Sequence, residues 1–444
     1  MRQAQPSAWG ACRIMSRLSP EALKDLKRNA PDEPLRKCAK IFLTKQRAVF
    51  RRVVALRGMK TFYFAKRKLQ FLPAATILVA VAMSITLSAQ TITTFDAPGG
   101  GTGAGQGTYA TNINPSGAII GFSGDANNVR HGFIRSQDGS FTIFDAPGAG
   151  TAAFQGTRAY ATNPSGTITG FFSDAGNVFH GYVRSNQGVI TVFDAPGAGT
   201  GPFPEGTFPF SPLIINPNGT ITGWYTDSAL VSHGFIRDRN GAFTTFDVPG
   251  AEVGPGTFPF AISPGGEITG FYDNGINANH GFLRDKKGVI TTFDVPGAGT
   301  GIGQGTFGGG LTPSGAVMGN YLDPDNVSHG FLMDKKGVIT TFDAPHAGNV
   351  PGSLQGTYPF GINASGAITG WYVDEANVNH GFVRNKHGEL VEFDVPGAGT
   401  GPFQGPNAYS IAPNGAVTGF YFDPNNVVHG FVREADGALG LSKF

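Results

Sequence analysis

From residue 90 onward, apolar and polar positions alternate with the two-residue period of β-strands, and nothing follows the 3.6-residue period of a helix. The stretch from Gly356 to Asp394 shows the pattern. Thr357 to Asn363 reads as a first strand and Ala364-Ser365-Gly366 as a turn. Ala367 to Asp374, rich in β-branched and aromatic residues, reads as a second strand. Glu375-Ala376-Asn377 turns the chain into a third strand, Val378 to Arg384. The turn Asn385-Lys386-His387-Gly388 leads to a fourth strand, Leu390 to Asp394, with Gly388 placed where a tight turn needs positive φ. A Gly/Pro-rich connector of about a dozen residues then leads to the next copy.

The same sentence recurs seven times. A His-Gly-aromatic marker stands at His131, His180, His233, His280, His329, His380 and His429, in steps of 49, 53, 47, 49, 51 and 49 residues. A Phe-Asp marker ends the fourth strand at Asp96, Asp145, Asp194, Asp247, Asp294, Asp343 and Asp394. Repeats of this length are supersecondary units stacked on one another. The ends of the array are complementary. Thr91 to Asp96 is a fourth strand with no first three before it, and Tyr409 to Arg433 is three strands ending at Gly437-Ala438-Leu439-Gly440 without a fourth. Joining them completes a seventh unit and removes the exposed edges that a linear array leaves. The expected fold is therefore all-β: a seven-bladed β-propeller with four antiparallel strands per blade, closed by pairing of the N-terminal strand with the C-terminal repeat. The alternative is an open β-solenoid, against which stand the long repeat and the lack of capping units.

Composition sharpens this picture. Gly 67 and Pro 30 make up about a fifth of the chain, but 37 Phe and regular apolar runs oppose disorder. The net charge of +2 hides a split: residues 1–89 hold 18 Lys/Arg against 4 Asp/Glu (+14), and the remainder 15 against 27 (−12). An acidic body argues against a nucleic-acid partner. Both cysteines, Cys12 and Cys38, lie in the basic part, so the body has no disulfide and relies on packing and strand pairing.

The leader reads as an address. Lys66-Arg67-Lys68, the uncharged run Phe71 to Leu87 and the small pair Ser88-Ala89 form a secretory signal, with a cut after Ala89. Met59 opens that signal in the usual way, so residues 1–58 form a basic leader upstream of the expected start, residues 59–89 the signal peptide and residues 90–444 the repeat domain. The expected location is secreted, periplasmic or cell-envelope. The competing reading is membrane anchorage by residues 71–87, at the short limit for a span and the chain's one expected membrane contact.

Candidate chemistry sits in the turn between the second and third strands. It carries Asp-x-x-Asn-Val-x-His or a variant: Asp125 with His131, Asp174 with His180, Asp227 with His233, Asp273 with His280, Asp323 with His329, Asp374 with His380, and Asp423 with His429. Up-and-down strand order puts these turns on the same face as the connectors, and that rim is the candidate binding surface. Asp and His can face each other there, as a seven-fold metal or sugar site or as a hydrogen bond pinning the hairpin. One His and one carboxylate are too few ligands for zinc, and calcium wants six or more oxygens. No cofactor is expected; calcium is the one ion the rim admits. The Phe-Asp aspartates read as caps of the following turn. Trp224 and Trp371, in second strands, could stack sugars, but Phe or Tyr fills most equivalent places, so they read as blade packing.

The Gly-rich connectors lack the following helix of a phosphate loop. No Gly-x-Ser-x-Gly, His-Glu-x-x-His or Gly-Lys-Ser/Thr motif occurs in the body. Departures from the repeat are few: Glu205, the Ser228-Ala229-Leu230 turn, Glu252, Glu267 and His346, none with an evident partner. The Ile-Asn-Pro-Ser-Gly, Gly-Phe/Trp-Tyr and His-Gly-Phe-x-Arg strings resemble the bacterial extracellular repeats of the HAF family over about residues 90–435. The chain has His-Gly-Phe, once His-Gly-Tyr at His180, in place of His-Ala-Phe, and lacks that family's Asp-Leu-Gly-Thr-Leu-Gly-Gly stretch. The resemblance implies export and a propeller-like repeat, with no activity and no catalytic residue to carry over. The expected function is a monomeric, non-catalytic binding or scaffold module with an extracellular glycan or protein ligand. The alternatives are an enzyme acting on envelope polysaccharide and a multivalent lectin or divalent-cation binder.

Overall fold

A computed structural model describes residues 91–251, 255–273, 275 and 278–435. The leader and signal expectations, Glu252 and Gly437 to Gly440 lie outside the described residues. Among those described, every regular element is a strand, twenty-eight in all, and no helix is long and apolar enough to cross a membrane.

The strands fall into seven antiparallel groups of four. The sixth group is typical: β22 (Gly356–Ile362), β23 (Ile368–Val373), β24 (Asn379–Arg384) and β25 (Leu390–Phe393), paired in sequence order. The seventh group uses both ends of the repeat domain. β26 (Gly405–Ile411), β27 (Val417–Phe422) and β28 (Val428–Arg433) are followed in space by β1 (Ile92–Phe95). β1 lies antiparallel on β28, from Ile92 opposite Arg433 to Phe95 opposite Gly430.

Units are stitched together in one repeated way. At six of the seven junctions the glycine opening the first strand makes a parallel bridge to the start of the preceding unit's third strand, as Arg130 to Gly156 and Ser328 to Gly356. The bridge from Gly107 to Val428 joins the first unit to the last. In six units a buried threonine beside that glycine accepts a hydrogen bond from the backbone just after the preceding fourth strand; the seventh has Pro406 there. Ala146 N bonds Thr157 Oγ1 at 2.8 Å, and Ala97 N bonds Thr108 Oγ1 at 2.8 Å.

Each unit's core cluster contains one fully buried aromatic, the ring of the His-Gly-aromatic marker. Phe133, Tyr182, Phe235, Phe282, Phe331, Phe382 and Phe431 are each 0% exposed. The intervening glycine is required by contact. A Cβ on Gly381 would come within 2.4 Å of the Phe393 ring, which lies flat across the strand.

A second aromatic layer runs between units along the first and second strands. It includes Trp371 on Tyr409 (5.8 Å between ring centres), Tyr409 on Phe420 (5.1 Å), Phe420 on Tyr109 (5.1 Å) and Tyr109 on Phe122 (4.7 Å). Trp224 continues it between Phe208 and Phe258.

The third unit departs from this plan. Six units have a bulge in the middle of the first strand, as between Pro359 and Gly361. In the third, the strand stops after Gly206–Phe208 and the extra residues Ser211-Pro212-Leu213 follow. Leu213 bridges Ala261 of the fourth unit and packs against the core clusters of the fifth and sixth. Pro212 O accepts a 2.8 Å bond from Asn112 Nδ2 of the first unit. One short insertion thus touches units from both halves of the repeat domain.

Candidate functional site

Each second-to-third-strand turn is built by its aspartate. Asp125 Oδ1 accepts the backbone N–H of Asn127 and Val129, both at 2.8 Å. The asparagine three residues after the aspartate takes left-handed backbone, φ 61–65°, a conformation Asn tolerates better than most residues. In the third unit Leu230 holds the same conformation at φ 66°. Connectors and turns share one face: Gln155 Nε2 donates to Asn177 Oδ1 at 3.0 Å, and Phe154 N donates to Asn128 O at 2.8 Å.

The histidine of each unit lies beside this turn, but its short contact is elsewhere. Nδ1 of His131, His180, His233, His280, His329, His380 and His429 meets the Phe-Asp aspartate closing the fourth strand. The partners are Asp145, Asp194, Asp247, Asp294, Asp343, Asp394 and Asp96, at 2.7–3.1 Å. The Phe-Asp aspartates are therefore histidine partners rather than turn caps, and the turn's own N–H groups are capped by the other carboxylate. The turn aspartates stand further off, on Nε2: Asp227 and Asp374 at 3.4 Å, Asp323 at 3.5 Å, Asp174 at 3.6 Å, Asp423 at 3.8 Å and Asp125 at 3.9 Å. Asp273, on the longer fourth turn, bonds Gly275 N, and among the described residues it forms no ion pair with His280.

Six histidines thus sit between two carboxylates, and all but His131 of the seven stack on a second-strand ring, as His380 on Tyr372 at 4.9 Å. The aspartate hydrogen bond on Nδ1 holds His180, His329 and His380 above the usual imidazole pKa, against the opposing pull of burial. Among the described residues, no three His, Cys, Asp or Glu side chains are arranged to hold a metal ion.

Two departures from the repeat meet in space. Six connectors carry a left-handed glycine two residues after the Phe-Asp aspartate's Ala or Val, as at Gly297 with φ 94°; the connector into the sixth unit carries His346. The residue before the fourth-strand Phe is Thr, Ile or Val in six units and Glu392 in the sixth. His346 Nδ1 bonds Glu392 Oε2 at 2.6 Å, and its backbone N bonds Oε1 at 3.2 Å. His346 therefore does have a partner, 46 residues away, which sequence alone did not reveal. Together with Tyr372, Asp374, His380, Phe393 and Asp394 they line a cavity of about 420 Å³. Burial first, and then the Glu392 charge, pushes the Tyr372 hydroxyl far above its usual pKa, so it stays a hydrogen-bond donor.

The other departures are local. Glu205 replaces the connector glutamine and accepts Gly201 N at 2.8 Å. Glu267 takes the Ser263 hydroxyl.

No protein-family model and no curated protein matches the chain. Among solved structures it is similar to a puromycin hydrolase, at 12% identity over 73% of this chain with a TM-score of 0.42, spanning about half (53%) of that enzyme's length. It is also similar to AofleA from Arthrobotrys oligospora, at 13% identity over 62% of this chain and 81% of that one with a TM-score of 0.38. A third is the fucose-recognising six-bladed β-propeller lectin of Aleuria aurantia, at 11% identity over 78% and 92% with a TM-score of 0.34.

Proposed function

We propose that the chain is an exported, non-catalytic binding module. On this reading it is a closed seven-bladed propeller that presents its connector face to an extracellular ligand. The pairing of β1 with β28 and the first-to-last bridge at Gly107 support closure over an open solenoid. The seven histidine brackets are the fold's fasteners, since Nδ1 of every one is taken by an aspartate of its own unit.

The observation that carries the binding reading is the sixth-unit cavity, where His346 and Glu392, both foreign to the repeat, meet beside His380 and Asp394. With Nδ1–H donated to Glu392, a neutral His346 offers its Nε2 as an acceptor. The carboxylates add further acceptors, a lining suited to the hydroxyl groups of a sugar. The test is a glycan array probed with the chain from Gln90 and with its His346→Gly, Glu392→Thr variant, which restores the residues of sister units. Binding lost in the variant without loss of melting temperature supports the reading; unchanged binding overturns the assignment to this cavity.

The same His346–Glu392 dyad also suits a general base, which keeps a polysaccharide-cleaving enzyme as the second reading. Release of reducing ends by the parent chain, abolished in that variant, would favour it.

A further inference from the structure

Two arginines interrupt the repeat where the first and second units meet. At the start of the third strand the other units carry Phe179, Ser232, Asn279, Ser328, Asn379 and Val428; the first carries Arg130. At the third residue of the first strand the others carry Tyr109, Phe208, Phe258, Phe307, Tyr358 and Asn407; the second carries Arg158. The parallel bridge from Arg130 to Gly156 brings the two side chains to one junction.

Their surroundings are aromatic. The Arg130 guanidinium lies 5.3 Å from the Tyr109 ring centre, 5.9 Å from Phe122 and 5.7 Å from Phe154, and that of Arg158 5.5 Å from Phe171. Arg130 is only 8% exposed, and its one hydrogen bond from the guanidinium is a long 3.4 Å contact to Gly105 O. Arg158 Nη2 donates to Phe154 O at 2.5 Å, but its Nη1 is buried with no partner. On the same strand face as Phe171, two residues on, the Ser173 hydroxyl is also buried and unpaired.

Among the described residues no carboxylate comes within ion-pair distance of either arginine. Burial, and to a lesser degree the Arg130 charge, weakens the hold of Arg158 on its proton. The ring faces soften the burial of these cations but supply no counter-charge. Two like charges held together without an anion, Arg130 buried and Arg158 half-buried, are costly in any protein, and more conspicuous in a body of net charge −12.

We propose that Arg130 and Arg158 form an oxyanion site at the junction of the first and second units. It takes a carboxylate, sulfate or phosphate group, which their planar donor forks suit, with the neighbouring rings stacking on whatever carries it. Phe154 covers the site. It is 63% exposed, sits over Arg130 and holds a left-handed backbone, φ 69°, that a phenylalanine rarely adopts. This site is separate from the sixth-unit cavity and stands or falls independently of it.

The experiment compares the chain from Gln90 with its Arg130→Val, Arg158→Phe variant, which carries the residues of sister units at both positions. Melting temperature and titration calorimetry are read at constant ionic strength with chloride, inorganic sulfate, inorganic phosphate, glucuronate and glucose. The expected result is a rise in melting temperature of the parent chain with at least one of the oxyanions and none with chloride or glucose. The variant should melt higher than the parent without ligand and bind the oxyanion at least tenfold more weakly. A response to glucuronate alone assigns the anion to an acidic sugar; a response to sulfate or phosphate assigns it to the free ion. No oxyanion effect beyond chloride, or an effect that survives in the variant, overturns the proposal.

Discussion

The seven histidines show how much one hydrogen bond decides. The Nδ1 contact to the fourth-strand aspartate raises the proton affinity of His180, His329 and His380 in the folded chain above the ordinary value near 6.5. A raised folded value means that the stabilisation is fully present below the unfolded pKa and is lost as pH rises through the folded one. Urea midpoints of the repeat domain should therefore hold steady below about pH 6 and fall toward pH 8. Replacing Asp194, Asp343 and Asp394 together by Asn should flatten that slope; an unchanged slope would show that the brackets do not drive it. Sequence made the histidines and both sets of aspartates visible, but not their pairing. The nearer aspartate, six residues away, reads as the natural partner, yet its carboxylate is held by turn N–H groups. The one fourteen residues away arrives across the third and fourth strands. The pairing of His346 with Glu392 was hidden for the same reason, since only the fold lays the connector against the fourth strand of the unit it leads into, 46 residues on.

At the scale of the element, the strands were legible almost residue for residue. The first strand expected at Thr357 to Asn363 spans Gly356–Ile362, and the third, expected at Val378 to Arg384, spans Asn379–Arg384. Regular alternation and Gly-marked turns fix such boundaries because each strand is buried on a repeated, known face. The glycine after each histidine is the tightest of these constraints. Gly381→Ala should destabilise the chain by about 1–3 kcal/mol, because its Cβ must displace the Phe393 ring. Chemical denaturation measures that cost, and a change below about 0.5 kcal/mol would mean the ring has somewhere else to go. The insertion in the third unit was legible only as a 53-residue step; its destination was not, because a turn and a cross-molecule prop of three residues look alike in a string. Leu213 touches the cores of other units, so Leu213→Ala should cost on the order of 2 kcal/mol, far more than trimming a surface loop. A loss no larger than that of a surface substitution would contradict the prop.

At the scale of the whole molecule, repetition and its exceptions divide the work. Buried rings and bracketed histidines recur in all seven units and unit-to-unit threonine bonds in six, and these hold the array together. The exceptions gather at three places: the Leu213 insertion, the cavity of the sixth unit and the arginine pair between the first and second. The complementary ends were plain in the sequence, because a missing first three strands and a missing fourth can be counted. His346 and the longer step into the third unit were visible as departures, but what the exceptions touch was not, since that depends on which unit stands beside which.

Everything rests on β1 completing the unit begun by β26, β27 and β28. The most direct measurement is thermal unfolding of the chain beginning at Gln90 against the same chain lacking residues 91–96, with hydrogen exchange read on Val428 to Arg433. The shortened chain should melt well below the parent, exchange β28 amides rapidly where Phe95 and Ile92 no longer pair, and associate through the bared edge. Equal melting temperatures with β28 still protected would contradict the account.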